Sequence, residues 1–514
     1  MTPRYTITTP IYYVNGAPHI GHAYTSVAAD VMARWKRLDG YDVFFLTGTD
    51  EHGQKVEQAA SAAGTDPQSF VDRVSADFRA MAEAMNVSFD DFIRTTEPRH
   101  LAACTALWRR LQESGHIYLG AYEGWYATRD ESFYGEDELV TRADGVRVAP
   151  SGAPVEWVKE PSYFFRLSEW QDRLLAYYDA HPDFIGPQGR RNEVLSFVRQ
   201  GLKDLSISRT SFRWGVPVPN DPDHVMYVWW DALVNYITAL GYPDETAPLW
   251  RFWPADLHLV GKEIIRFHAV FWPAFLMAAE LPLPHRIFAN GWWTADGEKM
   301  SKSVGNVVEP RALAAEFGVD AVRYFLLREV PFGGDGDFSR RALISRLNVE
   351  LANDLGNLAQ RTLSQIARNC DAKLPARGET TEDDAVLLAQ AAALPETLRG
   401  LIDRQALHEA LEEVWKVVRA SNAYIDRQAP WALKKTDMAR MGSVLRVLAD
   451  VLRGIGTVLQ PFMPASMARL LDQLGVPADE RLLASLGRGL PDGLPLPAPQ
   501  GIFPRHVETV AVTE

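Results

Sequence analysis

Two histidines lie on either side of one glycine in the stretch "NGAPHIGHAYTSVAAD", at His19, Gly21 and His22. The stretch follows a predicted strand and begins a predicted helix, where backbone N–H groups and the helix dipole attract anions. The imidazoles add hydrogen-bond donors, and Gly21 lets a bulky ligand approach the backbone. These residues indicate a site for the phosphates of a nucleotide. The alternative is that both histidines are exposed at the helix start and bind nothing.

A pair of lysines, Lys299 and Lys302, lies in the later stretch "DGEKMSKSVGN". Two lysines in a glycine-bounded loop can close over a polyphosphate and stabilise the charge that develops on a leaving group. A basic loop alone is usually a solvated turn. The H-x-G-H stretch and the later lysine loop together predict a nucleotide site more specifically than either motif alone.

Five stretches together resemble the methionyl-tRNA synthetase family of class I aminoacyl-tRNA synthetases, and the resemblance covers most of the chain. They are "TTPIYYVNGAPHIGHAYTS", "GTDEHGQK", "YVWWDALVNYI", "GKEIIRFH" and "GEKMSKSVGN". The resemblance implies that methionine is activated by ATP to methionyl-adenylate, with release of pyrophosphate. The methionyl group then passes to the 3′ end of tRNA(Met), including the initiator tRNA.

The resemblance implies which residues act on ATP. The catalytic set is His19, His22, Lys299 and Lys302, and Mg²⁺ accompanies the ATP. The further ATP-binding residues are Asn15, Gly21, Gly261 and Glu263. No enzyme nucleophile is required, since the attacking carboxylate of methionine is already ionised at neutral pH. The protein therefore has to position the reactants and stabilise charge.

A methionine pocket is also implied by the resemblance, with Asp50 binding the substrate ammonium. The side-chain pocket is formed by Ile11, Tyr13, Trp229, Ala232, Leu233, Tyr236, Ile264, Phe267 and His268. Aromatic walls suit a polarisable thioether, and Tyr13 and His268 could contact the sulfur weakly. From the residues alone, Asp50 could instead be a helix N-cap, and the aromatic residues could be ordinary core residues. Arg209 matches a family position near the active site.

Three residues of the C-terminal part correspond to those that read the CAU anticodon in this family: Asn357, Arg361 and Trp431. A spacing of four places Asn357 and Arg361 on one helix face, and an indole can stack on an unpaired base. The nearby cations Arg427, Lys434 and Lys435 would form a local basic patch. The alternative for Trp431 is a packing residue at a helix start.

The chain departs from the family pattern where many members bind zinc. Ala127 and Asp130, in "WYATRDE", stand where a first pair of cysteines would lie, and "VAPSGAPVE" also lacks cysteine. The chain has two cysteines, Cys104 and Cys370, too far apart in sequence for a knuckle. We therefore expect no zinc. The family's C-terminal dimerisation domain is also absent from this sequence, which predicts a monomer.

The elements that must position these residues are predicted from periodicity. The strand "YTITTPIYY", a helix with Ala23, Val27, Val31 and Trp35 on one face, and the apolar strand "YDVFFLTGTDEHG" form a βαβ unit. This predicts an α/β fold: a Rossmann-type parallel sheet with an inserted connective module, followed by an all-α helical-bundle anticodon-binding domain.

The predicted division of the chain has six parts. They are the first Rossmann half (1–114), the connective module (115–205), the second Rossmann half (206–283), the lysine loop and stem-contact region (284–345), the bundle (346–487) and a Pro- and Gly-rich tail (488–514). We expect the tail to lie loosely over the surface.

Composition limits the classes of function. A net charge of −13 argues against a protein that is coated by nucleic acid, although charge can be local. The first residues lack the apolar segment of a signal peptide, and the longest apolar run, 269–279, is too short to span a bilayer. We expect a cytoplasmic protein without a membrane partner, and we interpret this run as a buried helix.

Three alternatives remain open from the sequence. Another class I synthetase would need cysteine ligands for zinc or a larger editing insertion. A small-molecule nucleotidyltransferase would share the histidine and lysine motifs but would lack the helical domain. An inactive RNA-binding paralogue is disfavoured by His19, His22, Lys299 and Lys302, which are all present.

Overall fold

The computed structural model describes residues 2–130, 132–295, 297–300 and 306–507, with Ser132 and Lys299 described by their backbone alone. The strands are β1 Arg4–Thr8, β2 Tyr12–Tyr13, β3 Asp42–Asp50, β4 Asp91–Arg94, β5 Ile117–Ala127, β6 Ser132–Tyr134, β7 Val140–Thr141, β8 Arg147–Val148, β9 Glu156–Phe165, β10 Ile185–Gly186, β11 Leu205–Ser206, β12 Ser208–Arg209, β13 Pro217–Val218, β14 Asp221–Met226, β15 Leu257–Gly261, β16 Ile287–Asn290, β17 Trp293–Ala295, β18 Glu298–Lys299 and β19 Gly336–Phe338.

The α-helices are α1 Ile20–Leu38, α2 Gln54–Ala62, α3 Pro67–Ala84, α4 Pro98–Glu113, α5 Gln171–Ala180, α6 Gln188–Arg199, α7 Val228–Thr238, α8 Trp272–Ala278, α9 Pro310–Phe317, α10 Val319–Arg328, α11 Arg340–Arg346, α12 Asn357–Asn369, α13 Glu382–Asp403, α14 Leu407–Gln428, α15 Pro430–Leu433, α16 Met438–Leu459 and α17 Pro464–Gln473. Two π-helical segments, Phe267–Phe271 and Leu347–Gly356, run directly into α8 and α12.

A parallel sheet forms the core of the N-terminal part of the chain. Its strands pair in the order β10, β16, β15, β1 and β3, and both β2 and β4 also pair with β3. Leu46 of β3 pairs with β1 as well as with Asp91 of β4, so β4 lies on the opposite edge of β3 from β1. All of these pairings are parallel. The predicted Rossmann-type α/β fold is therefore confirmed.

Helix α1 covers one face of this sheet. Its predicted apolar positions Ala23, Val27, Val31 and Trp35 are all fully buried. The helix ends at Leu38, and Gly40 follows with φ +87°, a left-handed conformation that favours glycine. The helical period thus buries one side of α1 against the sheet. The N-terminus of α1 lies at the carboxyl edge of the sheet.

Ion pairs join α1 to the helical part of the chain. Asp30 and Arg323 form a fully buried pair at 2.7 Å, and Arg323 also donates to the carbonyl oxygens of Pro461 and Phe462. Near the helix end, Lys36 pairs with Asp403 of α13 at 2.8 Å. Just beyond that end, Asp39 receives both Nε and Nη2 of Arg399, at 2.8 and 2.9 Å.

The connective module is an antiparallel ribbon of β5 and β9, extended by β6 and β11. The range 115–205 predicted for it needs correction, because β10 lies within that range and pairs with β16 in the parallel sheet. Residues Leu174, Tyr178 and Val194 of α5 and α6 are also buried in the core of the sheet domain. A two-residue strand has too few positions to show a period, so the sequence could not reveal it. The other predicted boundaries stay predictions.

The C-terminal part is a bundle of α12 to α17, which confirms the predicted helical domain. The expectation of a loose tail is wrong for the described residues. Leu490, Leu496 and Ile502 are buried, and Leu374 and Leu494 are joined by a backbone hydrogen bond of 2.9 Å. Buried Arg446 adds a bond to the Leu490 carbonyl oxygen. Apolar residues spaced along the tail therefore fix it to the bundle.

One described helix, α13, is long and apolar enough by length and composition to cross a membrane. It packs against α14 and α16, and its first turn is acidic. Core helices of bundles have this composition as well. The apolar run 269–279, interpreted as a buried helix, is largely buried in the core.

Candidate active site

The candidate site lies at the carboxyl edge of the parallel sheet. Strand β1 lies between β3 and β15, so the strand order changes direction at β1. Ligands of doubly wound sheets bind in the crevice at such a switch point. The residues that end these strands there are Thr8, Asp50 and Gly261.

His19 and His22 cap the start of α1 with their own rings. His19 Nδ1 accepts from the Gly21 N–H at 3.1 Å, and His22 Nδ1 accepts from the His19 N–H at 3.1 Å. Because Nδ1 is the acceptor in both rings, a neutral imidazole must carry its proton on Nε2. Each histidine therefore retains one N–H donor for a ligand.

Both imidazoles are neutral at physiological pH. Burial lowers the pKa of His19 to about 4, and burial together with the neighbouring His19 ring lowers the pKa of His22 well below its usual value. The two ring centroids are 3.9 Å apart. The pair thus offers two closely spaced neutral donors and no positive charge.

The backbone donors at this helix start are already used. The Ile20 N–H donates to the Val308 carbonyl oxygen at 3.0 Å, and the Gly21 N–H donates to His19. A Cβ atom at Gly21 would lie 3.0 Å from His19 Cε1, so this glycine leaves room for the ring as well as for a ligand. These backbone N–H groups are therefore not available to phosphate, contrary to the expectation from the sequence. The imidazole Nε2–H groups are the donors that remain.

The same Ile20 bond brings the two sequence motifs together, since Val308 follows the lysine stretch by a few residues. Lys299 lies in β18, where its backbone pairs with Thr294 of β17. Lys302 lies outside the described residues.

An aromatic wall stands next to this edge. Trp229 stacks on Phe267 with ring centroids 3.8 Å apart and an interplanar angle of 7°. His268 meets Trp229 edge-on at 6.0 Å. Phe267 and His268 belong to the π-helical segment, and such bulges often occur at functional sites.

His268 is fully hydrogen-bonded within the protein. Its Nδ1 lies 3.0 Å from the Ile264 carbonyl oxygen, which can only accept, so Nδ1 carries the proton. Nε2 then accepts from the Tyr236 hydroxyl at 2.7 Å. Burial lowers the pKa of His268 to about 4. Both ring nitrogens are thus engaged, so His268 can offer a ligand sulfur only its carbon edge or face.

The other expected pocket residues lie around this wall. Ala232 and Leu233 are buried on α7, whereas Ile11 and Ile264 are half-buried and pack against the same core. Tyr13 is half-buried, and Lys55 lies over its ring at 5.3 Å.

Asp50 is buried at the end of β3, and its carbonyl oxygen accepts from the Val14 N–H. The N-cap of the next helix, α2, is Gly53. The alternative interpretation of Asp50 as a helix N-cap therefore does not hold.

The expected ATP-binding residues are spread along the other side of the edge. Asn15 is exposed, and Gly261 ends β15. A Cβ atom at Gly261 would lie 2.6 Å from a carboxylate oxygen of Glu263, so glycine leaves space for that side chain. Glu263 in turn accepts from the Trp292 indole N–H at 2.6 Å.

Arg209 is buried in an aromatic cage, which its sequence position did not indicate. Its guanidinium carbon lies 4.4 Å from the Phe133 ring centroid and 4.5 Å from that of Tyr227. It donates to the Ser208 carbonyl oxygen at 2.7 Å. This side chain joins the connective module to the residue before α7.

The predicted anticodon residues lie on the bundle surface. Asn357 and Arg361 share one face of α12, and the Arg361 guanidinium carbon is 5.2 Å from the Trp431 ring centroid. Trp431 is 43 % exposed, so it is not a buried packing residue. Arg361 also pairs with Asp426 at 2.6 Å. Arg427, Lys434 and Lys435 are exposed nearby in the chain, although Arg427 faces Asp383 at 3.8 Å.

A short turn holds Trp431 in this position. Ala429 adopts φ +42° between α14 and α15, and its carbonyl oxygen accepts from the Ala432 N–H. This left-handed alanine is an unfavourable conformation of the kind that persists where the surroundings require it.

The positions of the missing cysteines hold a small cluster of their own. Ala127, Ala149 and Ala153 are fully buried against one another. Asp130 accepts from the Tyr134 hydroxyl at 3.0 Å and from Ser151. Methyl packing and these hydrogen bonds hold together the loops that cysteine ligands would otherwise join.

Another group of potential metal ligands, His100, Cys104 and Asp231, is buried away from the module. His100 Nε2 lies 2.7 Å from Asp231 Oδ1. Two ligands of one tetrahedral zinc ion must be about 3.3 Å or more apart. This geometry is that of a hydrogen bond and does not fit a metal site.

Sequence reasoning missed several buried residues beneath the site. His258 of β15 bonds to Thr8 of β1 at 2.8 Å and packs against the Tyr236 ring. His52 pairs with Asp231 at 2.6 Å. His52 and Asp231 lie in the quoted stretches "GTDEHGQK" and "YVWWDALVNYI", so the motifs contained the signal, but spacing alone does not pair residues so far apart.

Comparison with known proteins gives consistent matches over the whole chain. The family model described as "tRNA synthetases class I (M)" matches residues 5–363. The model described as "Anticodon binding domain of methionyl tRNA ligase" matches residues 374–509. The chain is similar to the methionine–tRNA ligase of Brucella suis biovar 1 (strain 1330), with 58 % identity over 506 residues, covering 98 % of each.

Solved structures match equally well. A Mycobacterium tuberculosis methionyl-tRNA synthetase in complex with methionyl-adenylate superimposes with a TM-score of 0.96 at 55 % identity, covering 98 % of this chain and 100 % of that one. The apo form from the same organism gives a TM-score of 0.90 at 51 % identity, covering 99 % of both chains. The present structure thus resembles the adenylate-bound form more than this free one.

Proposed function

The chain belongs to the methionyl-tRNA synthetase family of class I aminoacyl-tRNA synthetases, and on this premise we propose the roles of its residues. It is an ATP-dependent methionine–tRNA ligase. Methionine and ATP form methionyl-adenylate and pyrophosphate, and the methionyl group is then transferred to the 3′ end of tRNA(Met), including the initiator tRNA.

One observation carries the assignment of the ATP site: both imidazoles at the start of α1 are held by Nδ1 and leave Nε2–H free to donate. We propose that these two donors bind phosphate oxygens of ATP, which enters as its magnesium complex. Because the rings are neutral, they can orient the phosphates without attracting them as strongly as a cation would. The charge of the leaving pyrophosphate is left to Lys299 and Lys302.

The remaining ATP contacts follow from the same arrangement. Asn15, Gly21, Gly261 and Glu263 would surround the nucleoside and its phosphates. The Glu263 carboxylate, positioned by the Trp292 indole, is suited to accept hydrogen bonds from ribose hydroxyls. The attack of the methionine carboxylate on the α-phosphorus needs positioning rather than a general base.

Methionine would lie between Asp50 and the aromatic wall. The buried carboxylate of Asp50 suits an ammonium group, and the Trp229–Phe267 stack offers an apolar, polarisable surface to the thioether. The remaining pocket residues are Ile11, Tyr13, Ala232, Leu233, Tyr236, Ile264 and His268. His268, with both nitrogens engaged, shapes the pocket and fixes Tyr236.

The anticodon would be read on the bundle surface. Trp431 offers an exposed ring for stacking, and Arg361 and Asn357 lie beside it for base edges. We further propose that the enzyme acts as a cytoplasmic monomer. We also propose that it needs no zinc, since the knuckle positions hold Ala127 and Asp130. Elemental analysis that found stoichiometric zinc would contradict this last point.

The decisive experiment is ATP–pyrophosphate exchange with each of the twenty amino acids. Exchange is expected with methionine alone, and selenomethionine should be accepted because selenium and sulfur are nearly equal in size. Equal exchange with leucine would overturn the pocket assignment. Aminoacylation of tRNA(Met) on the same preparation tests the second step.

A further inference from the structure

A buried chain of polar groups lies behind the methionine pocket. Asp231 Oδ2 is 2.6 Å from His52 Nδ1, and Asp231 Oδ1 is 2.7 Å from His100 Nε2. The Asp231 carbonyl oxygen also accepts from His100 Nε2, at 3.1 Å. His100 Nδ1 continues the chain to the Thr238 hydroxyl at 3.1 Å. All four side chains are buried.

The central carboxylate is ionised. Burial alone would raise the pKa of Asp231, but the two imidazoles outweigh burial and hold it well below its usual value. Cys104 touches the same group, and burial, Asp231 and Asp50 together raise the pKa of its thiol. Asp50 therefore lies within electrostatic range of this cluster.

These hydrogen-bonded side chains join three elements that meet at the pocket. His52 follows Asp50 by two residues at the end of β3, so it moves with the group proposed to bind the ammonium. Asp231 lies on α7, which also carries Trp229, Ala232, Leu233 and Tyr236. His100 lies on α4, which packs against α7.

We propose that His52 and Asp231 are positioning residues that fix α7 relative to the end of β3, and so set the length of side chain that the pocket accepts. This inference rests on the proposed function. The ammonium site at Asp50 and the aromatic wall at Trp229 and Tyr236 lie on different elements, so their separation depends on what joins those elements. The His52–Asp231 pair is a direct, buried polar link between them.

The bonded side chains around Asp231 allow little displacement of the elements that carry them. Removing one partner leaves a buried charge or donor without its bond, and the neighbouring backbone relaxes to find another. A shift of α7 would alter the wall without touching the ATP side, where His19, Gly261 and Glu263 lie on other elements. The expected effect is therefore selective for the amino acid.

The test uses exchange kinetics on His52→Ala, His52→Asn and Asp231→Asn. Asparagine can place an N–H donor near the position of Nδ1, and alanine cannot. We expect His52→Ala to raise KM for methionine about tenfold, with KM for ATP within twofold of the parent. We expect its preference for methionine over ethionine and norleucine to fall about fivefold or more. His52→Asn should recover most of both losses.

Asp384→Asn is the matched control, because Asp384 is a buried carboxylate held by Arg440 and Tyr424 in the bundle. It should leave amino-acid preference unchanged. Unchanged preference in a folded His52→Ala variant, or an equal rise in KM for methionine and ATP, would overturn the inference. If none of the three variants folds, the cluster is a folding element and the inference is also overturned. Failure of the parent enzyme to exchange with methionine would instead overturn the proposed function.

Discussion

The carboxyl edge of the parallel sheet, proposed to bind methionine and ATP, and the bundle surface around Trp431, proposed to read the anticodon, differ in how they hold their side chains. At the carboxyl edge of the sheet, His268 is buried and uses both ring nitrogens, whereas His19 and His22 are half-buried and each use Nδ1. On the bundle, Trp431 and Asn357 are exposed, and Arg361 is held by one carboxylate and one ring.

The difference follows from the ligands. A small substrate that must react is best held by groups already in place, because their ordering has been completed during folding. A large, flexible polyanion supplies its own contact area, so a few exposed groups suffice, and stacking gives most of the local energy. Damage to the two regions should therefore appear in different measurements.

The largest expected effect is at the lysine loop. Lys302→Ala should slow adenylate formation by about 10²–10³-fold, the scale for losing one pre-organised group that stabilises developing charge. Methionine binding without ATP, followed by intrinsic tryptophan fluorescence, should be unchanged. Lys159→Ala, an exposed lysine of the connective module, is the control. Equal loss of methionine affinity and rate would make Lys302 a pocket residue instead.

Acid should destabilise the sheet domain through its buried histidines. His19, His22, His258 and His268 all have lowered pKa values, so the unfolded chain takes up protons before the folded one as pH falls. The free energy of unfolding is therefore not reduced by these histidines above the unfolded pKa of about 6.5. It decreases as pH falls from there towards 4.

For His268 alone this loss is about 2 kcal/mol of unfolding free energy at pH 5. Urea denaturation at pH 7 and pH 5 measures the total. In His268→Gln the difference between the two pH values should shrink by about that amount. An unchanged difference would mean that His268 does not titrate as described.

The next effect belongs to the exposed surface. Trp431→Ala should cost about 1–3 kcal/mol of tRNA interaction, or roughly 5- to 150-fold in aminoacylation at limiting tRNA. Exchange without tRNA should stay near the parent rate. Since Trp431 is largely exposed, the melting temperature should hardly change. Trp157→Ala removes a tryptophan of similar exposure, 51 %, from the module and serves as the control. Parallel loss of both activities with early melting would assign Trp431 to packing.

The smallest effect sharpens the role of Arg361. Asp426→Asn removes an exposed partner worth less than about 1 kcal/mol and a negative charge near the proposed anticodon site. We expect KM for tRNA to fall by up to about fivefold, more at low salt than at high salt. A rise in KM would show that Asp426 holds Arg361 in its reading position.

The sequence predicts the fold well where the periods are long and the motifs specific. The βαβ unit at α1 and the helical bundle are examples. It fails at β10, whose two residues have no measurable period, and at the tail, where scattered leucines indicate little until the surface they cover is known. For the site, the sequence proposes candidate residues, but it does not reveal their bonds. The capping by His19, the full engagement of His268 and the pairing of His52 with Asp231 all depend on contacts that only the folded chain creates.

The length of helix α1 limits which insertions and deletions this enzyme can accept during evolution. Its N-cap and first turn carry His19 and His22, the proposed phosphate-binding residues, and its far end is paired to α13 through Lys36 and Asp39. One residue added or removed between them would rotate one end by about 100° and shift it by about 1.5 Å. Neither set of contacts survives such a rotation while the other is kept. The 19-residue length of this helix is therefore a fixed dimension, and insertions should be tolerated in the loops around it but not within it.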